Sequence, residues 1–180
     1  MEQELTAQGL AAVTVAQAAA GDAAAFADIV AAYHDDMARV SFLICGSQDV
    51  AQDAVQAAWT IAWRKLPSLR QPDHLRPWLV SIAANEARQA VRRARRHAVV
   101  QINIADVGSD EHDPSSRIER SDLAAALHRL PEDDRSLLAL RYVAGFDASE
   151  ISHALGISPS GVRSRLMRAV TRLRSELGHD

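Results

Sequence analysis

A chain of 180 residues, 48% hydrophobic but only 4% aromatic, suffices for one ordinary domain or two small ones. Its single cysteine, Cys45, excludes an internal disulfide and a cysteine zinc site. A net charge of −3 would argue against a polyanionic partner if it were spread evenly, but it is segregated: Asn85 to His97 carries five Arg against one acid, Asp106 to Asp122 six acids against two Arg, and Ser158 to Leu177 five Arg against one Glu. No stretch reaches the roughly 18 apolar residues of a membrane span, and no basic segment followed by an apolar core opens the chain. The expected compartment is the cytoplasm, with no membrane contact of its own.

Abundant Ala, Leu, Arg, Glu and Gln with few strand formers predict an all-α fold. Residues 1–20 are Ala- and Gln-rich and read equally as a frayed helix or a disordered tail. Gly21-Asp22 then caps a helix whose Phe26, Ile29, Val30, Tyr33, Met37, Val40 and Ile44 form one apolar stripe, closed by Gly46. The adjacent His34, Asp35 and Asp36 diverge around a helix and make a solvated turn, not a metal site. A second helix runs from Gln48 to Leu66 and ends at Pro67. Ala51, Ala54, Val55, Ala58, Ala62 and Leu66 form its apolar face, Asp49, Gln52, Asp53 and Gln56 its polar side, with Trp59 on the margin.

Pro67 to Arg76 reads as a loop displaying Arg70, Asp73 and His74. Pro77 opens a long helix to about His97. Ser81, Asn85, Arg88, Arg92, Arg95 and Arg96 share one side of it, with Leu79, Ala83, Ala90 and Ala94 opposite. Five arginines with only Glu86 nearby should repel one another in the free protein, a strain that a polyanion relieves. A solvated basic helix is the plain alternative.

Residues 98–118 form a linker. Val99 to Ile104 alternates like a short extended piece, without a partner strand, and the Gly, Ser, Pro and acidic residues after it suit a flexible acidic connection. Asp110-Glu111-His112-Asp113 has metal-ligand types but no fixed backbone to hold them, so no metal or cofactor is assigned.

Arg117 to Leu130 is the next helix, with Ile118, Leu123, Leu127 and Leu130 as its apolar positions. Pro131 sits early in the one after it, where Glu132, Asp133 and Asp134 complement the helix dipole. Leu137, Leu138, Leu140 and Tyr142-Val143 should pack this helix onto the two C-terminal helices, and Gly145 breaks it. Asp147 with Glu150 makes a capping box for a short helix ending at Gly156, Ile157 plugs the turn, and Ser158-Pro159 starts another helix. In that last helix Val162, Leu166, Ala169, Leu173 and Leu177 pack, while Arg163, Arg165, Arg168, Arg172 and Arg174 take the remaining surface. A short helix, a glycine turn and an Arg-rich second helix make a helix-turn-helix, whose second helix fits the DNA major groove. A solvated helical hairpin is again the alternative.

The run Leu127-His128-Arg129-Leu130-Pro131, Arg135, Leu140, Gly145-Phe146, Glu150-Ile151, Leu155-Gly156-Ile157-Ser158, Val162 and Ser164-Arg165-Leu166 resembles the promoter-binding C-terminal domain of bacterial sigma factors of the extracytoplasmic-function group. Ala51-Gln52-Asp53-Ala54-Val55-Gln56 with Trp59 and Trp63-Arg64, and Trp78-Leu79, Ile82-Ala83, Asn85 and Arg92-Arg93, resemble the N-terminal domain of the same group. The resemblance implies an N-terminal helical domain at 21–97 and a C-terminal helix-turn-helix domain at 119–180, after a tail at 1–20. By it Asp49, Asp53, Gln56 and Trp59 face the clamp of the largest subunit of core RNA polymerase, whose second-largest subunit meets the protein through its flap. The minus-ten element of promoter DNA falls to Arg70, His74, Ser81, Asn85, Arg88, Arg92, Arg95 and Arg96. The minus-thirty-five element falls to Ser158, Ser160, Arg163, Ser164, Arg165, Arg168 and Arg172. An anti-sigma protein is a further implied partner. The chain departs from the group's pattern at Gln52 and Ala57, where acids are usual, at Ala84, where a base is usual, at Gln89, where an acid is common, and at Gly161, where Thr is usual. An autonomous helix-turn-helix regulator would explain the C-terminal part but leave the basic helix unassigned. An enzyme has no reaction centre in this sequence.

Overall fold

The structure is a computed structural model that describes residues 12–102 and 118–178, with side chains described at 12–96 and 122–178. Every regular element among these residues is helical. A helix at 12–19, α1, leads through Gly21, whose φ is +98°, into α2 at Ala23–Cys45. The Asp22 carboxylate accepts hydrogen bonds from the Ala24 and Ala25 amides at 2.8 and 3.2 Å, satisfying two of the donors that a helix start leaves open. At the other end Gly46 adopts the left-handed conformation that terminates helices, φ +72°. Val15 and Ala18 of α1 are buried in the main core, so the half of the tail that is described does packing work.

Helix α3, Gln48–Lys65, lies on α2 through Ala54, Val55, Ala58 and Ala62, all buried. Small residues at these positions let the two helices approach closely. The approach is keyed by Phe26, which meets Trp59 and Trp63 edge to face at centroid distances of 5.7 and 4.7 Å. Where a loop was expected, two 3-10 turns, Leu66–Ser68 and Pro72–His74, deliver the chain into α4 at Leu75–Ile102. That helix starts two residues before Pro77, because a proline in the first turn forfeits no internal hydrogen bond. It also continues through 99–102, the start of the stretch whose alternation suggested an extended piece; with no strand to pair, its backbone closes hydrogen bonds within the helix instead. Ala94, expected on the packed side, is exposed, as the contact face drifts around the helix.

The remaining helices are α5, Ile118–Arg129, α6, Glu132–Leu138, α7, Ala148–Leu155, and α8, Pro159–Glu176, with a π turn at Ala139–Val143 between α6 and α7. Leu130, Leu138 and Ala169, with Leu127, Leu166, Val170 and Leu173 around them, join α5, α6 and α8. Three expected packing residues stay outside: Leu123, Tyr142 and Val143 are exposed, the last two because the wider π turn swings them away from the helix-turn-helix. Leu137, Leu140, Phe146 and Ile151 instead enter the same buried cluster as α2 and α4. The two groups of helices therefore share a core. The linker residues 103–117, including the Asp110–Asp113 group, lie outside the described residues.

Candidate nucleic-acid interface

The helix-turn-helix is built as its residues dictate. Asp147 Oδ1 accepts from the Ser149 and Glu150 amides at 2.7 and 2.8 Å, and the Glu150 carboxylate accepts in return from the Asp147 amide at 2.8 Å. Gly156 turns the chain at φ +67°, and Ser158 Oγ caps α8 by accepting from the Gly161 amide at 3.1 Å. Val162 and Ala169 face inward. Ser160, Arg163, Ser164, Arg165 and Arg168 are all exposed on the N-terminal half of α8. Arg163 and Arg165 have no carboxylate partner among the described residues, so their guanidinium forks are available to base edges or phosphates. Arg172, one to two turns on, is different: its Nη1 pairs with Asp134 Oδ2 at 2.6 Å.

A second cationic surface lies on α4. Arg92, Arg93, Arg95 and Arg96 are exposed and, with Gln89 and Glu132, line an open cleft of about 650 Å³. Arg70, between the two 3-10 turns, and His74, at the end of the second, are exposed. Ser81 and Asn85 are half-buried, and the Ser81 hydroxyl donates to the Pro77 carbonyl at 2.6 Å. Three of these arginines meet carboxylates that the local sequence does not place beside them. Arg88 Nη2 meets Asp133 Oδ1 at 2.7 Å, Arg92 Nε meets Glu132 Oε1 at 2.6 Å, and Arg95 Nη1 meets Glu132 Oε2 at 3.2 Å. The hydrogen bond to Glu132 pushes the Arg92 pKa up from its ordinary value. The partners come from the first turn of α6, so Glu132 and Asp133 do more than answer a helix dipole. Opposite charge blocks on separate helices were the only sequence signal of this pairing.

Asp49, Gln52, Asp53 and Gln56 form one exposed stripe along α3. Trp59 is half-buried at its end, donating from Nε1 to His34 Nδ1 at 3.3 Å. A groove of about 510 Å³ between α2 and α3, lined among others by Arg39, Phe42 and Gln52, runs beside the stripe. Cys45 is half-buried, and burial pushes its thiol up to about 11 against the opposing charge of Arg135, which disfavours the thiolate at neutral pH. The described residues hold no cluster of His, Cys, Asp and Glu able to take a metal ion, and none of their helices is long and apolar enough to cross a membrane.

Residues 29–97 match the family Sigma-70 region 2, and residues 120–173 match Sigma-70, region 4. The RNA polymerase sigma factor CarQ of Myxococcus xanthus is 34% identical over 135 residues, spanning 72% of this chain and 75% of CarQ. The chain belongs to the RNA polymerase sigma factors, in the extracytoplasmic-function group. It is a promoter-specific sigma factor. RfaY of Xanthomonas campestris pv. campestris, named as a probable RNA polymerase sigma factor, is 33% identical over 169 residues; this sigma factor covers 89% of its own length in that match and 42% of RfaY. Among solved structures, CnrH in complex with the cytosolic domain of CnrY superposes with a TM-score of 0.67 at 26% identity, covering 93% of the sigma factor and 97% of that chain. Region 2 thus takes in α3, α4 up to residue 97 and most of α2, and region 4 spans the helices from α5 to most of α8.

Proposed function

We propose that this sigma factor works by binding and deformation, with no bond made or broken on the protein. The exposed stripe of Asp49, Asp53 and Gln56, ending at Trp59, docks on the clamp of the largest subunit of core polymerase. Region 4 meets the flap of the second-largest subunit. Arg70 and His74 in the segment before α4, with Ser81, Asn85, Arg88, Arg92, Arg95 and Arg96 on α4, take the minus-ten element and hold non-template bases as the duplex melts. An amide such as that of Asn85 both donates and accepts, as a base edge requires, and guanidinium groups hold the backbone. On α8, Arg163 and Arg165 read or grip the minus-thirty-five element, helped by Ser158, Ser160 and Ser164, with Arg168 and Arg172 as phosphate clamps.

The observation that carries this reading is the presence, in one chain and in order, of two sigma regions that each display an arginine-bearing helix face. An anti-sigma protein is a further partner in this reading: one similar solved structure is of the sigma factor RpoE in complex with the anti-sigma factor NepR from Bartonella quintana. The site of action is the cytoplasm, where polymerase and promoter are.

The test is open-complex formation and transcription by bacterial core polymerase, with and without the protein, on a pool of promoter fragments. Selective initiation that weakens with Asn85→Ala and with Arg165→Ala is expected. If core polymerase neither binds nor initiates while the protein alone retains one duplex, the reading falls to that of an autonomous regulator.

A further inference from the structure

Met167 adds little to the core. Met37 is fully buried, whereas Met167, in the middle of α8, leaves 71% of its surface in water and is the most exposed large apolar side chain among the described residues. At 100° per residue, the buried Val162 and Ala169 fix the packed side of α8, and the stripe opposite them is Ser160, Ser164, Met167 and Thr171. All four are exposed, and the Thr171 hydroxyl donates to the Met167 carbonyl at 3.1 Å. Arg163 and Arg174 flank this stripe on one side and Arg168 on the other, all exposed. None of the three has a carboxylate partner among the described residues. Met167 is thus one long apolar side chain standing above short hydroxyl neighbours at the crest of the helix, with guanidinium groups to either side.

We propose that Met167 reads thymine: its thioether packs on the C5-methyl group of one T·A pair in the major groove, while the flanking arginines hold phosphates on the groove walls. The inference deepens the assignment of α8 to the minus-thirty-five element and rests on it. The crest of a helix lying in the major groove meets base edges, and its flanks face the two backbones. Among the groups that the groove floor presents, the thymine methyl is the apolar one, and an apolar side chain is its complement. An unbranched thioether is soft enough to fit that methyl without the shape demands of a branched chain. A protein partner suits the crest less well. The helical neighbours of Met167 three and four positions away are Arg163, Ser164, Val170 and Thr171, so the apolar surface is about one side chain wide and ringed by cationic and hydroxyl groups, not the contiguous patch that a protein interface buries.

The test uses holoenzyme, core polymerase with the full chain, at one fixed salt concentration. Duplexes that it selects from a pool randomised across the minus-thirty-five element are resynthesised with deoxyuridine in place of each thymine in turn, on either strand, which deletes one methyl group and keeps the base pair. At one position the unsubstituted protein is expected to bind about fourfold more weakly, the worth of one buried methyl group. Met167→Ala is expected to bind the thymine duplex at least that weakly and to lose nothing further on deoxyuridine, the non-additivity that marks a direct contact. Met167→Leu is expected to keep the thymine preference, and Met167→Gln, about as long but polar, to lose it. Arg168→Ala is expected to weaken thymine and deoxyuridine duplexes by the same factor. The proposal is overturned if deoxyuridine is penalised at no position, if the penalty survives in Met167→Ala, or if Met167→Ala instead weakens binding to core polymerase in the absence of DNA, which would place the side chain in a protein interface. The arginines separate this failure from that of the broader reading. If the Arg163→Ala, Arg165→Ala and Met167→Ala holoenzymes all select the same duplexes as the unsubstituted one, the assignment of α8 fails; if the arginine variants lose those duplexes while deoxyuridine costs nothing, only the reading of thymine is wrong.

Discussion

Arg135 is 5% exposed, and its guanidinium makes three hydrogen bonds: besides Ile44 it donates to the His128 and Leu130 carbonyls at 3.1 and 2.8 Å. Burial pushes its pKa down, with the charge of Arg95 adding to this, and the three carbonyls compensate the desolvation. Arg135→Ala leaves those acceptors buried and unpaired, and is expected to cost roughly 2–4 kcal/mol in urea denaturation. Arg135→Lys recovers only part, since an ammonium lacks the fork. Gly46 is constrained twice, by its left-handed φ of +72° and by the His128 ring, which occupies the place a Cβ would take. Gly46→Ala is expected to lower Tm through about 1–2 kcal/mol of backbone strain, plus whatever displacing the ring costs. In promoter binding, Arg165→Ala should weaken a minus-thirty-five duplex about 10- to 100-fold, the range of one lost bidentate contact, in a filter or anisotropy titration. A loss that was the same on every duplex sequence would mark Arg165 as a phosphate contact instead.

The helices themselves were largely legible from their ends. Asp22, Gly46, the Asp147–Glu150 box, Gly156 and Ser158-Pro159 all act where local hydrogen bonding predicts, because a cap needs only its nearest neighbours in sequence. The π turn at 139–143 and the run of α4 to Ile102 were not, since each depends on what lies alongside. One element-level consequence involves the end of α5. Burial and then the charge of Arg135 lower the His128 pKa below its ordinary 6.5. A depressed histidine pKa means the unfolded state binds the proton more readily, so the stabilisation is complete above about 6.5 and is lost as pH falls through the folded value. Tm should be level above that pH and decline below it, with His128→Asn flattening the decline. Asp36 does not confuse the result. Burial raises its pKa, but hydrogen bonds and charge from Arg39 and Arg76 outweigh that and hold it below 3.8, so its own loss comes at much lower pH.

Over the whole molecule, the shared core ties region 2 to region 4. All three tryptophans, Trp59, Trp63 and Trp78, lie in region 2, whereas circular dichroism registers every helix. The two signals should therefore trace one coincident unfolding transition. Phe146, 1% exposed, comes from region 4 but packs in the common cluster; Phe146→Ala should shift both signals by about 3–5 kcal/mol together. Separate transitions would show that each region folds without the other. Periodicity and capping are written over a few neighbouring residues, which is why the all-helical class, the helix ends, the helix-turn-helix and the cationic faces of α4 and α8 could be read from the chain alone. Where those charges are spent is a matter of tertiary packing. Glu132 is 40 residues from Arg92, and Phe146 is more distant still from the α2 and α4 residues it packs among, so nothing in the local pattern could say that the acids of α6 would face the arginines of α4 and not solvent.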